Sequence, residues 1–338
     1  MTSRNSSESA DRLGVLDGWR GISILLVLAG HLLPLGPKVW QLNDTVATMG
    51  MAVFFTLSGF LITRFLLERP SVTDFLFRRF FRIVPLAWVA MVVVLVMTDA
   101  PSSFYLPHAF FYANLPPIHL TDAGSHLWSL CVEVQFYVGI ALLVALLGRR
   151  GLYALPVLCV AVTLHRVVYG AHVDIVTWRR VDEILAGCLL AMAWAGKFGT
   201  VPAWLLSRLN AFVMLALLAV ASHPRGGGMN YIRPYLAALM VGATLFDPPA
   251  PLARLLAGKV LRYIATVSYA LYVVHHVLMY TWLGSGDKLA KYLKRPLLIV
   301  VTFGLAHLST FYFERPCIAW GKWLSARFAR RRAASVGE

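Results

Sequence analysis

Apolar residues run through this chain in ten stretches, at roughly 21–36, 46–67, 83–98, 127–147, 152–169, 181–196, 209–222, 231–247, 264–283 and 297–313. Polar residues gather in the short joints between them. Neither the period-two alternation of strands nor an internal repeat breaks the series. A stretch of near 20 residues that is apolar on every side predicts a helix crossing a bilayer, not one lying on a water-facing bundle. The fold class is therefore all-α: a polytopic transmembrane helical bundle of about ten spans. Residues 1–15 read as a cytoplasmic tail, 16–316 as a membrane domain and 317–338 as a basic cytoplasmic tail. About 22 residues follow Pro316, so the sequence reads as a stand-alone membrane unit. Met1 to Ala10 is polar and no cleavage site follows the first apolar run, so the N-terminus is not a signal peptide.

Composition sharpens this picture. Hydrophobic residues make up 59% of the chain and charged ones 14%, where soluble domains carry about 25% charge. That excludes both a soluble globular domain and a disordered chain. The net charge of +15 sits in short loops, as expected of cytoplasmic loops, so nucleic acid is not the partner. With the N-terminus inside, inner segments hold 20 Lys and Arg against ten outside. The inner set runs from Arg4 and Arg12 to Arg330, Arg331 and Arg332. Both termini are therefore expected in the cytoplasm, the chain lying multi-pass in the cytoplasmic (inner) membrane. The 284–296 loop, with Lys288, Lys291, Lys294 and Arg295, runs against the trend. Cys131, Cys159, Cys188 and Cys317 are far apart in apolar surroundings, so they read as packed thiols, and no spacing suggests a metal site.

Ionisable groups inside spans are costly, and they separate functional readings from structural ones. His31 follows the run Ile22–Gly30, roughly 16 Å along one helix from Arg20; it is expected near mid-membrane, with Arg20 at the inner surface. Glu133 is the one acid in the middle of an apolar stretch, about 9 Å below the outer end of its span. A buried carboxylate needs a partner; His31 is the natural one, and an arginine is the structural alternative. Arg78, Arg79 and Arg82 begin the third span. They are either a positive-inside anchor flanked by aromatics or a phosphate site, since guanidinium grips phosphate in a fork. Arg78 and Arg82 share a helix face. His275 and His276 are adjacent and point about 100° apart, a poor metal pair. Small residues at Thr56-Leu57-Ser58-Gly59-Phe60 suit close helix packing.

Leu16-Asp17-Gly18-Trp19-Arg20-Gly21, with His31 eleven residues after Arg20, resembles the signature of the acyltransferase-3 family of membrane acyltransferases. Phe54 to Leu61, Arg78 to Pro85, His126 to Leu130 with Glu133, Arg180-Val181-Asp182, Ser268 to His275 and Phe313-Glu314-Arg315-Pro316 continue it in the family's order. The resemblance implies transfer of an acyl group, usually acetyl, from cytoplasmic acyl-CoA to a hydroxyl of a cell-envelope or exported carbohydrate. It makes His31 and Glu133 the catalytic candidates and Arg20, Arg78, Arg79 and Arg82 the donor-binding ones. His126, Trp128, Ser129, Tyr137, Arg180, Asp182, Tyr269 and His275 become substrate-binding or supporting candidates. No tightly bound cofactor and no metal are expected. The expected partners are acyl-CoA, a hydroxyl acceptor and the bilayer, with self-association left open.

A sugar hydroxyl attacks a thioester only poorly at neutral pH. Histidine, titrating near neutrality, suits the base that would assist it, and a carboxylate can fix its tautomer and steady the imidazolium. Histidine could equally carry the acyl group. The competing reading is a transporter or flippase of a glycan or lipid-linked substrate, in which the same buried groups line a pathway.

Overall fold

A computed structural model describes residues 2–69, 71–246 and 249–336, with side chains from 14 to 328 outside the two gaps. Among these residues there are helices and no strand. In chain order they are α1 (Thr2–Leu32), α2 (Leu42–Glu68), α3 (Val72–Met97), α4 (Tyr105–Ala109), α5 (Trp128–Leu147), α6 (Leu155–Val168) and α7 (Asp182–Trp194). Then follow α8 (Val201–Arg208), α9 (Ala211–Ser222), α10 (Met229–Phe246), α11 (Ala250–Leu256), α12 (Lys259–Met279), α13 (Lys288–Leu308) and α14 (Arg315–Val336). A π-helical turn, Ser309–Glu314, joins α13 to α14.

Local chemistry sets several starts. Ser71 caps α3 by accepting the amide N–H of Asp74 at 3.2 Å. Asn210 caps α9 by accepting those of Phe212 and Val213, and Asp287 caps α13 by accepting that of Ala290 at 2.7 Å. Each satisfies a donor that a helix N-terminus leaves orphaned.

Every expected apolar stretch falls on a helix, but the span count does not follow. Five runs are long and apolar enough to cross a membrane, or seven if each of two sharply bent helix pairs is one span. Two of the ten stretches, α5 and α6, belong to the single run Ser125–Val168, and meet where Gly148 turns left-handed at φ +61°. The helix rise gives α6 and α7 lengths of about 20 Å, short of the roughly 30 Å hydrocarbon core. α8 and α9 form one bent pair, at 87°.

The chain divides into two compact units, residues 1–64 with 153–272 and residues 65–152 with 273–338. In the first, α2 and α7 cross at glycines. A Cβ on Gly59 would strike the backbone of Ile184, and one on Gly187 the backbone of Thr56. The Thr56–Phe60 segment thus does what its small residues suggest. In the second, α3 packs on α14 and α5. Phe77 stacks on Phe328 at 5.3 Å, Phe81 meets Trp320 edge-on at 5.2 Å, and Gly321 lets Phe81 close on α14.

Cys131, Cys159 and Cys188 are buried free thiols and Cys317 is half-buried. The side chains of Arg4, Arg12, Arg330, Arg331 and Arg332, which contribute to the charge asymmetry, lie outside the described residues, as does Glu338 at the expected cytoplasmic end.

Candidate active site

In the second unit the site is built on α5 and the start of α3. Glu133 is 4% exposed, and its Oε1 accepts a short hydrogen bond from the Tyr137 hydroxyl one turn on. The Tyr137 ring packs edge-on against Phe75 at 5.9 Å. Above it stands the Arg79 guanidinium, 5.5 Å from the Tyr137 ring and 5.9 Å from that of Phe75, within electrostatic reach of Glu133. An Arg79–Tyr137–Glu133 relay thus places one cation beside the buried acid. Of the two partners the sequence suggested for Glu133, an arginine stands here in the same unit.

Arg79 and Arg78 point to different neighbours. Residues i and i+1 on a helix diverge by about 100°. Arg79 turns toward α5, while Arg78 turns toward α14. The Arg78 Nε donates to Asp74 at 2.7 Å, and Asp74 also accepts from Ser325 of α14 at 2.5 Å. Arg78 and Asp74 line a cleft of about 790 Å³ together with Glu68, Arg69 and Lys322, three cations against two acids. Arg82, four residues on, is exposed and does not line this cleft. Its charge acts on Glu314, a buried carboxylate in the π turn that accepts from Thr310 at 2.9 Å. Arg78 thus faces the cleft and Arg79 faces Tyr137, while Arg82 lies within electrostatic reach of both Arg79 and Glu314. Sequence reasoning counted Arg69 and Lys322 only as topology charges; their convergence depends on α14 folding back along α3.

Ahead of α5, His126 is buried and its ring lies 5.5 Å from that of His275 and 4.8 Å from that of His276. The His126 Nε2 is 3.2 Å from the Val273 carbonyl, and the His276 Nδ1 is 3.1 Å from the Ala123 carbonyl. The family resemblance offered His126 and His275 as candidates; His276, set aside in the sequence as half of a poor metal pair, completes the cluster. Ser129 is buried and its hydroxyl donates to the His126 carbonyl at 3.3 Å; Trp128 is half-buried. Gln135 ties α5 to the preceding loop by donating to the Phe111 carbonyl at 2.7 Å and to Asn114 at 2.9 Å. No group of three His, Cys, Asp or Glu side chains among the described residues could hold a metal ion.

In the first unit, Arg20 pairs with Asp17 at 3.2 Å on α1. His31 is half-buried and lies in the last turn of α1, which stops at Leu32. It is not in the middle of its helix, as the apolar stretch 21–36 suggested. Pro34 disfavours helical backbone just before it, and Asn43 of α2 ties the end down by donating to the carbonyls of Gly30 and Leu33, each at 2.7 Å. Tyr269 is buried on α12.

Arg180 and Asp182 belong to a larger buried network. Arg166 pairs with Asp182, Arg233 with Glu183 at 2.7 Å, and Arg180 with Glu183 at 3.4 Å. Arg166, Asp182, Glu183 and Arg233 are wholly buried. Pro234 has no N–H, which leaves the Asn230 carbonyl of α10 without its helical donor, and Arg166 fills the gap at 3.2 Å. The sequence missed Arg166, Glu183 and Arg233. Arg166 and Arg233 lie inside the apolar stretches 152–169 and 231–247, and the cost of an ionisable group in a span was the signal that could have found them.

The family model described as an acyltransferase domain matches residues 13–315. The chain is 27% identical to the peptidoglycan O-acetyltransferase OatA of Listeria monocytogenes, over 89% of this chain and 55% of that protein. It is 28% identical to YrhL of Bacillus subtilis, named as a candidate peptidoglycan O-acetyltransferase, over 89% of this chain and 54% of that one. The chain thus spans about half the length of the curated relatives it matches. No solved structure matches it.

Proposed function

The chain belongs to the acyltransferase domain family, and on that premise we propose that it is a membrane O-acyltransferase. It moves an acyl group, acetyl by expectation, from cytoplasmic acyl-CoA to a hydroxyl of cell-envelope carbohydrate. Peptidoglycan is the first acceptor to try, because the similar proteins are named for it. Residues 16–316 form the membrane domain, in the cytoplasmic membrane, with both termini in the cytoplasm.

The observation that carries the reading is the buried Glu133 carboxylate, braced by the Tyr137 hydroxyl with the Arg79 cation close by. A carboxylate this deep is disfavoured as an ion unless it is hydrogen-bonded and charge-compensated. Here the Tyr137 hydroxyl supplies the hydrogen bond and the Arg79 guanidinium the nearby cation. In the proposed chemistry His31 takes the proton from the acceptor hydroxyl as its oxygen attacks the thioester carbonyl. Glu133 is the carboxylate that supports the imidazolium. Collapse of the tetrahedral adduct breaks the C–S bond, and the CoA thiolate leaves with the proton returned by His31. If His31 carries the acyl group instead, the same bonds are exchanged in two steps. The cleft holding Arg69, Arg78 and Lys322 offers the donor's phosphates cations at the α3–α14 end.

The test is incubation of the purified chain in liposomes with labelled acetyl-CoA and peptidoglycan fragments, followed by mass spectrometry. Labelled O-acetyl ester on a sugar hydroxyl, with free CoA released in equal amount, is expected. Movement of fragments across the bilayer without ester formation would point to a transporter instead.

A further inference from the structure

A second concave surface lies in the first unit, linked to the residues assigned above only through Tyr235, whose hydroxyl meets that of Thr163, which donates to Asp182 at 3.3 Å. α7, α8 and α10 enclose a groove of about 530 Å³, lined by Leu189, Leu190, Leu205, Leu206 and Leu239 among other apolar groups, with the Tyr235 hydroxyl as a polar point. That volume falls within the range of small-ligand sites, ~300–1,000 Å³. Tyr235 is already engaged, since its hydroxyl lies 2.9 Å from that of Thr163. The groove therefore has nothing to offer a polar ligand, and an alkyl chain suits it.

Charge defines the rest of the occupant. Phe198 and Leu209 also line the groove, and each follows a cation in sequence: exposed Lys197 precedes Phe198, and exposed Arg208 precedes Leu209. Arg208 stands 5.4 Å over the Trp204 ring, a pairing suited to the headgroup level of a membrane. No Asp or Glu occurs between Glu183 and Asp247, and Glu183 is committed to Arg180 and Arg233. The segment that forms the groove and its rim, residues 184–246, thus carries cations and no acid of its own. Lipid tails are as apolar as leucine, so an apolar wall alone gives no preference for one lipid over another in a bilayer. Selection must come from the headgroup, and basic residues at the surface select anionic ones.

We propose that the α7–α8–α10 groove is a binding site for an anionic phospholipid, one acyl chain lying along the leucines and the phosphate headgroup held at Lys197 and Arg208. The site is independent of the acyl-transfer reading, since it uses none of the residues placed in that chemistry.

The full chain, purified in a non-ionic detergent, is offered equal amounts of phosphatidylglycerol and phosphatidylcholine with identical tails, and retained lipid is counted by native mass spectrometry. The parent is expected to retain one phosphatidylglycerol in marked preference. Each surface cation gives about 5-fold, so the Lys197→Gln, Arg208→Gln double variant should lose a preference of the order of 25-fold. Ala193→Trp, projecting into the groove, should lower retention of both lipids. If that variant melts at a lower temperature than the parent, Leu205→Trp on the exposed wall replaces it. Equal retention of the two lipids by the parent would overturn the proposal, as would parental phosphatidylglycerol retention by the groove-filled variant. Displacement of phosphatidylglycerol by palmitoyl-CoA but not by acetyl-CoA would also overturn it, since the groove would then serve the donor's own chain.

Discussion

Arg78 and Arg79 are neighbours in sequence, yet one lines the cleft with Asp74 and Lys322 while the other covers Tyr137. Their substitutions should accordingly part company in steady-state kinetics. Lys322→Gln, or Arg69→Gln, should mainly raise the KM for acyl-CoA. A charged hydrogen bond contributes about 1.5–3 kcal/mol, so the rise should be roughly 10- to 100-fold. Arg79→Ala and Glu133→Gln should instead lower kcat with little change in donor KM, the mark of an interaction needed only in the transition state. Equal donor KM in the parent and the Lys322 and Arg69 variants would reduce the cleft to a membrane anchor. Tyr137→Phe removes only the hydroxyl that Glu133 accepts, and its kcat should fall in the same direction as that of Glu133→Gln. The residue types were legible in the sequence: Glu133, Arg79 and Tyr137 were all singled out. Their division of labour was not, because which way an arginine turns depends on what packs beside its helix, and α5 and α14 reach α3 from far along the chain.

The helices themselves were legible from their apolar runs, and all ten expected stretches fall on them. Their lengths and ends were less so. Pro34 and the Asn43 tether stop α1 just beyond His31, where the apolar run continues for several residues. The stretch 209–222 matches α9, but α8, bent against it at 87°, lay in no expected stretch. The crossing of α2 and α7 rests on Gly59 and Gly187, each with opposing backbone where a Cβ would sit. Gly59→Leu or Gly187→Leu should therefore lower the melting temperature in detergent and the yield of inserted protein. Gly139→Leu, on α5 with open space where its Cβ would lie, should have little effect and serves as the control. The buried network of Arg166, Arg180, Asp182, Glu183 and Arg233 ties α6, α7 and α10 together. Arg233→Met leaves Glu183 with one of its two cations, and breaking a buried pair costs about 3–5 kcal/mol. A drop of the melting temperature is expected, and an unchanged melt would mean the network does not hold these helices. The family resemblance named only Arg180 and Asp182, because charges on four separate segments meet only after folding.

At the scale of the whole molecule, composition alone led to a helical membrane protein, and the family match over 13–315 agrees with the motif series read from 16 to 316. Charge asymmetry predicts the 99–126 loop outside and both ends of the chain inside. A cysteine placed at Ser102, in a variant with Cys317 replaced, should react with an impermeant thiol reagent added to intact cells, and labelling only after lysis would reverse the orientation. The claim that unites these scales is that the protein transfers acyl groups through His31. It is tested most directly by measuring labelled acetyl transfer from acetyl-CoA to a peptidoglycan fragment by the parent and by His31→Ala, side by side in liposomes. General-base assistance contributes roughly 10²–10⁴-fold. The parent should form the ester, while the variant, inserted and still binding CoA, should fall by at least the lower end of that range. Transfer by His31→Ala at the parental rate would contradict the account.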